Sequence, residues 1–269
     1  MTAGMTAAPG GWIVPSWPVP SSVGALATTR AGGVSQGAWA GLNLGLATGD
    51  DREQVLRNRA LLRMHLPAAP RWLRQVHGAR VIDACAVPVD GADAGAAIEA
   101  DAAFAAERGV VAAVLTADCL PVLLADSAGR CVAAAHAGWR GLAAGVLQAT
   151  ARAMRTGLRD PDARLVAWLG PAIGPDHFEV GADVLAAMSA VLPDARAAFM
   201  PRGPHKFHAD LYALARMALA QEGVQHVYGG GECTYCDATR YFSYRRDRVS
   251  GRQATLIWIN ASPDSALLV

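Results

Sequence analysis

Lysine is almost missing from this chain. Of its 24 basic residues only Lys206 is a lysine, so nearly every positive charge is a guanidinium. That bias, with alanine as the dominant hydrophobe, reads as the codon pressure of a GC-rich genome and carries no functional message. Charge of one sign is also lacking: 24 basic residues face 23 acidic ones, a net of +1, which excludes an electrostatic nucleic-acid binder. With 17% charged and 52% hydrophobic residues, the composition excludes a charged disordered chain. There is no long uncharged apolar run. The most apolar stretch, Val110 to Trp139, is broken by Asp118, Asp126 and Arg130, so no membrane span is expected. The first twenty residues contain Pro and Gly without a basic n-region, so no signal peptide is expected there. Cysteine is sparse and odd in number, five in 269 residues, which favours reduced thiols over a disulfide framework and a cytoplasmic location. The G-x-G-x-x-G dinucleotide fingerprint, short-period repeats and low-complexity linkers are absent as well.

What is present reads as one catalytic domain over residues 11–269 behind a flexible start at 1–10. A strand is expected at Ala25–Thr29. A helix is expected near Asp50–Leu66, entered through a capping box of Thr48 and Asp51 and ended by Pro67. Trp72–Val76 and Val81–Ala86 read as strands around the turn His77-Gly78-Ala79. Val110–Leu115, Val122–Ala125 and Cys131–His136 read as buried strands joined by tight turns, followed by a helix from Gly141 to Arg155. Arg164–Leu169, Val224–Tyr228 and Ala254–Ile259 read as further strands. Ala182–Leu192 and Ala209–Gln221 read as helices, the latter capped by Asp210 or His208. Strands come in runs, not in strict alternation with helices. The expected fold is therefore α+β, with mixed β-sheets flanked by helices, and not a doubly wound layout.

Three residues sit at expected strand ends beside glycine or proline turns: His77, Cys119 and His136. Strand ends hold side chains rigidly and open onto loops. Two imidazoles and a thiolate make a borderline-soft set that suits zinc, with a fourth position left open. The separations of 42 and 17 residues match no short zinc motif, so the same residues are equally readable as packed core groups or as a Cys–His nucleophile pair.

Seven motifs in order carry a resemblance. They are Thr28-Thr-Arg-Ala-Gly-Gly33, Leu42-Asn-Leu-Gly45 with Gly49-Asp50, Gln75-Val-His-Gly78, Thr116-Ala-Asp-Cys-Leu-Pro121, His136-Ala-Gly-Trp-Arg-Gly141, Leu169-Gly-Pro-Ala-Ile-Gly174, and Phe242-Ser-Tyr-Arg-Arg246 with Ser250-Gly-Arg252. Over residues 12 to 260 the chain resembles the family first labelled laccase-domain or polyphenol oxidase proteins and now described as purine nucleoside phosphorylases that also deaminate adenosine. The resemblance implies one zinc per chain on His77, Cys119 and His136. It implies purine nucleosides (adenosine, inosine, methylthioadenosine) and phosphate as small-molecule partners, with the chain a monomer or homodimer. The laccase label meets a shortage: four-copper chemistry needs roughly ten imidazoles, and the chain has seven histidines with no His-x-His pair. A copper ion substituting in the single site could still give weak oxidase activity.

Phosphorolysis needs a phosphate beneath the anomeric carbon, and guanidinium forks suit it. Arg30, Arg140, Arg245, Arg246 and Arg252 lie in motif loops, with Arg140 just ahead of the expected helix start at Gly141. Deamination needs an activated water and a carboxylate to move the proton. Asp118 is the nearest candidate, although a turn-forming role suits it equally. Asn43 and Gln75 are expected amide partners for ribose or base edges, unless Asn43 only stabilises its turn. The pair Cys233-Thr-Tyr-Cys236 lacks a second C-x-x-C and thioredoxin context, and reads as a packing or site-lining loop. A Cys–His hydrolase and a non-enzymatic metal-binding protein stand as rival readings.

Overall fold

The computed structural model describes residues 6–8, 11–89 and 98–261. Two six-stranded sheets lie face to face. The first runs Thr6–Ala8, Trp12–Val14, Val23–Ala27, Gln253–Ile259, Val111–Thr116, Pro70–Arg71, antiparallel except for its last pair. The second runs His226–Gly229, Leu165–Leu169, Leu120–Asp126, Val132–Ala137, Ala102–Ala105, Val81–Asp83, antiparallel in the middle and parallel at both ends. A small third sheet joins Glu179–Gly181, Lys206–Ala209 and Phe199–Gly203. The fold is α+β with mixed sheets.

Side-chain alternation assigns the layers. Leu123, Ala125, Val132 and Ala134 of the second sheet share a cluster with Ala112, Val114, Ile257 and Ile259 of the first, so these faces meet each other. Leu120, Val122, Leu124, Ala133 and Ala135 point the other way, onto the helices Val146–Leu158, Ala182–Val191 and Leu211–Gln221. On the far side of the first sheet, Val111, Ala113, Leu256 and Trp258 pack with Leu62 of the helix Arg52–Arg63. The order is helix, sheet, sheet, helices. Central strands covered on both faces need continuous apolar runs, which is why Leu120–Asp126 and Val132–Ala137 are buried at every position.

Several expectations are corrected here. Trp72–Val76 is not a strand: Pro70–Arg71 joins the first sheet, Arg74 makes only an isolated bridge to Glu99, and Val81–Asp83 joins the second sheet. The turn at His77 is therefore a passage between sheets. Val111–Thr116 and Leu120–Asp126 likewise belong to different sheets, so the segment between them is a second passage and not a hairpin turn. The helix expected over Gly141–Arg155 is two, Trp139–Ala143 and Val146–Leu158, because Gly145 adopts φ 83. Arg140 lies inside the first of them, not ahead of it. Asp51, not Thr48, caps the helix at 52, accepting the N–H groups of Glu53 and Gln54. Asp210, not His208, caps the helix at 211. The hairpin of Phe199–Gly203 and Lys206–Ala209 gave no alternating signal in the sequence. Of the start expected to be flexible, residues 1–10, only Thr6–Ala8 lie within the described residues, paired with Trp12–Val14.

Candidate metal centre

The two passages between sheets bring His77 and Cys119 to the same edge. Both bend through the left-handed region, at His77 itself (φ 62) and at Asp118 (φ 88), conformations that non-glycine residues hold only when their surroundings impose them. Gln75 ties the passages together. Its amide donates to the Leu115 carbonyl and accepts the Leu115 N–H, both at 2.8 Å. His136 enters from the buried strand Val132–Ala137, opposite Pro121.

The ligand-type atoms of His77, Cys119 and His136 all lie within 4.8 Å of one another, the one such group among the described residues. Cys119 Sγ is 3.7 Å from His77 Nε2. Tetrahedral zinc with ordinary Zn–S and Zn–N bonds spaces such atoms about 3.5 Å apart, so the separation fits a shared ion. His136 is buried, Cys119 half-buried and His77 exposed, so the group opens to solvent on the His77 side.

Asp101 orients the group, and sequence reading missed it. Its buried carboxylate meets His136 Nδ1 at 2.8 Å and accepts the N–H groups of Val76 (3.2 Å), His77 (2.9 Å) and Gly78 (2.7 Å). Holding Nδ1 leaves Nε2 of His136 for the cluster, the usual carboxylate–histidine support of a metal site. The available signal was an acid at the mouth of the alanine-rich strand Ala102–Ala105. Burial works against the Asp101 charge, but these hydrogen bonds prevail and hold its carboxyl below the usual range. Burial would also push the Cys119 thiol up, yet the His136 and His77 rings outweigh it and bring the thiol to about 6. Burial lowers His136, while Cys119 and Asp101 raise it to about 9. At neutral pH the metal-free pair is a thiolate beside an imidazolium.

Gly138 lets the strand carrying His136 turn into the next helix beside the sulfur. A Cβ there would lie 2.7 Å from Cys119 Sγ and 3.3 Å from His77 Cδ2.

Other expected site residues have structural work that leaves little for a ligand. Asn43 is fully buried; its amide donates to Thr48 and Asp50 and accepts the N–H groups of Gly45 and Arg252. No polar atom is left for a ribose. Gln75 is committed to Leu115 as described. All five N–H donors of Arg246 are used, on Thr234, Tyr235 and Tyr241 carbonyls and on Asp247, which excludes a phosphate grip. Asp118 accepts the Thr234 hydroxyl and the Arg245 N–H, each at 2.6 Å, one per carboxylate oxygen, so it is a clamp and not a free proton carrier. Arg30 spans the Ala238 and Ala40 carbonyls above the Phe242 ring. Arg245, half-buried, reaches the Glu179 carbonyl beside Phe178. The Arg140 guanidinium rests on Trp139 and makes no hydrogen bond or ion pair among the described residues. Arg252, largely buried, feels the charges of Cys119 and Asp118 and spends only Nη1 on Ser250 and Gly251.

Residues 24–260 match the family model described as multi-copper polyphenol oxidoreductase laccase. A purine nucleoside phosphorylase of Pseudomonas aeruginosa is 48% identical over 249 residues, covering 92% of this chain and 98% of that protein. Purine nucleoside phosphorylase YfiH of Escherichia coli (strain K12) is also 48% identical, with the same coverage of each. Among solved structures, a Neisseria meningitidis protein superposes with a TM-score of 0.86 at 48% identity, over 93% of this chain and 99% of that one.

Proposed function

The chain belongs to the multi-copper polyphenol oxidoreductase laccase family, and from that premise we propose that it is a zinc-dependent purine nucleoside phosphorylase with adenosine deaminase side activity. The relatives' names support the phosphorolytic half of this reading. The observation that carries the site is the convergence of His77, Cys119 and His136 within 4.8 Å, locked by Asp101. Copper clusters of the kind the family description names lack donors here. The other five histidines lie apart: His65 packs on Trp12, His177 on Tyr235, His208 accepts from Arg202, and neither these nor His205 and His226 form a second group among the described residues.

His77, Cys119 and His136 would hold the ion. Bound there with one open position, zinc supplies Lewis acidity and activates water near neutral pH. The chain's own groups do the rest. Arg140 and Arg252 retain donors for phosphate, and Arg252 lies close enough to Cys119 and Asp118 to feel their charges. Asp118 fixes the passage carrying Cys119 through Thr234 and Arg245, so the thiolate keeps its aim. Five free thiols fit a reducing cytoplasm, and among the described residues no helix is long and apolar enough to cross a membrane.

Product chromatography on adenosine, inosine and methylthioadenosine, with and without phosphate and zinc, tests the reading. Phosphate-dependent release of free base is expected, with phosphate-independent inosine from adenosine. Zinc-loaded protein that leaves all three nucleosides intact would overturn it.

One observation favours a second reading. Cys119, His136 and Asp101 form a nucleophile–base–orienting row like that of a cysteine hydrolase, with a thiol already near 6. A second imidazole 3.7 Å from the same sulfur has no task in that chemistry, which favours the metal. Elemental analysis and alkylation separate the two: a ligand sulfur is protected until chelation, whereas a nucleophile reacts at once. Cys119→Ser is expected to lose both the bound metal and nucleoside turnover.

A further inference from the structure

The Cys233-Thr-Tyr-Cys236 motif is left unused by the nucleoside reading, yet it holds the clamp behind Cys119. Asp237 N–H donates to the Cys233 carbonyl at 3.1 Å, closing one helical turn, so the two cysteines, three residues apart, share a face. The neighbouring Cys233 sulfur raises the Cys236 thiol, and Cys233 Sγ accepts the Gly174 N–H at 3.2 Å. Both border a cavity of about 380 Å³ together with Asp176, His177 and Glu232, and Cys236 is exposed, so a small reagent has access.

The residues between the cysteines face inward. Thr234 is fully buried; its hydroxyl holds Asp118 Oδ1 at 2.6 Å and its N–H donates to the Ala172 carbonyl. Next along, Ile173 N–H donates to the Asp118 carbonyl at 3.0 Å, and Gly174 N–H ends on the Cys233 sulfur. Arg246 binds the Thr234 and Tyr235 carbonyls. Two short hydrogen-bonded routes thus connect Cys233 to Asp118, the residue bent at φ 88 that precedes Cys119.

We propose that Cys233 and Cys236 are a reversible thiol–disulfide exchange site for small-molecule disulfides, whose oxidised state loosens the hold on Asp118 and thereby weakens metal binding at Cys119. The inference goes beyond the nucleoside reading and does not require it. Cys233, its proton released to solvent, attacks one sulfur of a disulfide such as oxidised glutathione and expels one glutathione thiolate. Cys236, losing its own proton, then attacks the Cys233 sulfur and expels the second. Two protein thiols lose two electrons, and oxidised glutathione gains them as two thiols. In the product the sulfurs close to about 2.05 Å, and Gly174 N–H faces a disulfide sulfur, a weaker acceptor than the thiol or thiolate it replaces. The turn must shift, and Thr234, buried within it, carries the shift to Asp118.

The test uses the metal-loaded full chain with excess oxidised glutathione. Peptide mass spectrometry reads the linkage, chelator competition reads zinc affinity, and hydrogen exchange reads residues 116–121. Expected are a Cys233–Cys236 disulfide, faster exchange over 116–121, a zinc affinity lower by roughly tenfold, and full reversal by dithiothreitol. The double variant Cys233→Ser with Cys236→Ser, which has no sulfur left to react, is expected to keep the reduced protein's affinity and exchange whether or not oxidised glutathione is added. No such linkage, or a linkage with unchanged exchange over 116–121, overturns the proposal. So does an equal loss of affinity in the double variant, which would place the effect at Cys119 itself. A chain that binds no zinc at all would sink the metal reading instead, while linkage and exchange still decide this one.

Discussion

Asp101 serves both imidazoles at once, gripping His136 through Nδ1 and the backbone of the His77 turn through three N–H groups. Asp101→Asn keeps the size but offers one acceptor oxygen where two are in use. The expected result is a zinc affinity lower by roughly tenfold to a hundredfold with all three ligands present, read by chelator competition. Proton competition gives a second residue-scale outcome. His136 is raised to about 9, so below that pH its proton must leave before Nε2 can bind a metal. Cys119, at about 6, gives up its proton well below neutrality. Zinc affinity should therefore climb by about tenfold per pH unit between 6 and 9, fall more steeply below 6, and flatten above 9. A flat profile across that window would mean His136 is not a ligand. These three candidates stood out in the sequence because each lies beside a glycine or proline turn, although His77 turns out to follow no strand. Asn43, Gln75 and Arg246 misled because a polar side chain's partners are set by residues far along the chain: Asn43 by Arg252, Gln75 by Leu115, Arg246 by Thr234.

At the scale of elements, apolar runs marked strands such as Val111–Thr116 and Leu120–Asp126 to within two residues, but not which sheet each joins. Two strands separated by a short polar segment read as a hairpin. Here the segment carries the chain from one sheet to the other, because both strands are apolar on both faces and nothing local prefers a partner. That difference builds the site, since both passages end at the same edge. Gly138 is the tightest joint in it. Gly138→Ala changes no ligand and is compatible with the local φ of −67, but its methyl would lie 2.7 Å from Cys119 Sγ. The sulfur must give way, so the variant should fold with a near-native melting temperature yet bind zinc at least about tenfold more weakly. Unchanged zinc affinity in a folded Gly138→Ala protein would refute the close packing of that joint.

For the whole molecule, a metal ion held by His77, Cys119 and His136 would staple two inter-sheet passages to a central strand. Binding to the folded state alone stabilises it in proportion to the logarithm of free metal over the dissociation constant. At a thousandfold excess this is about 4 kcal/mol, on the order of 10 °C in Tm for a chain of this size. Chelation should lower Tm by that order in the native protein and leave Cys119→Ser unmoved, as differential scanning calorimetry would report. An equal Tm before and after chelation of a metal-bearing sample would place the metal elsewhere.

Composition alone set the expectations about charge and apolar runs, since both are sums over residues and need no coordinates. Local pattern settled the α+β class and the three ligand candidates, because burial periodicity and turn residues act over a few positions. Convergence was decided only in three dimensions. Asp101 reaches His136 across 35 residues, and Thr234 reaches Asp118 across 116. Hydrogen-bond pairing at such separations depends on which sheet each strand enters, and that choice belongs to the packed whole.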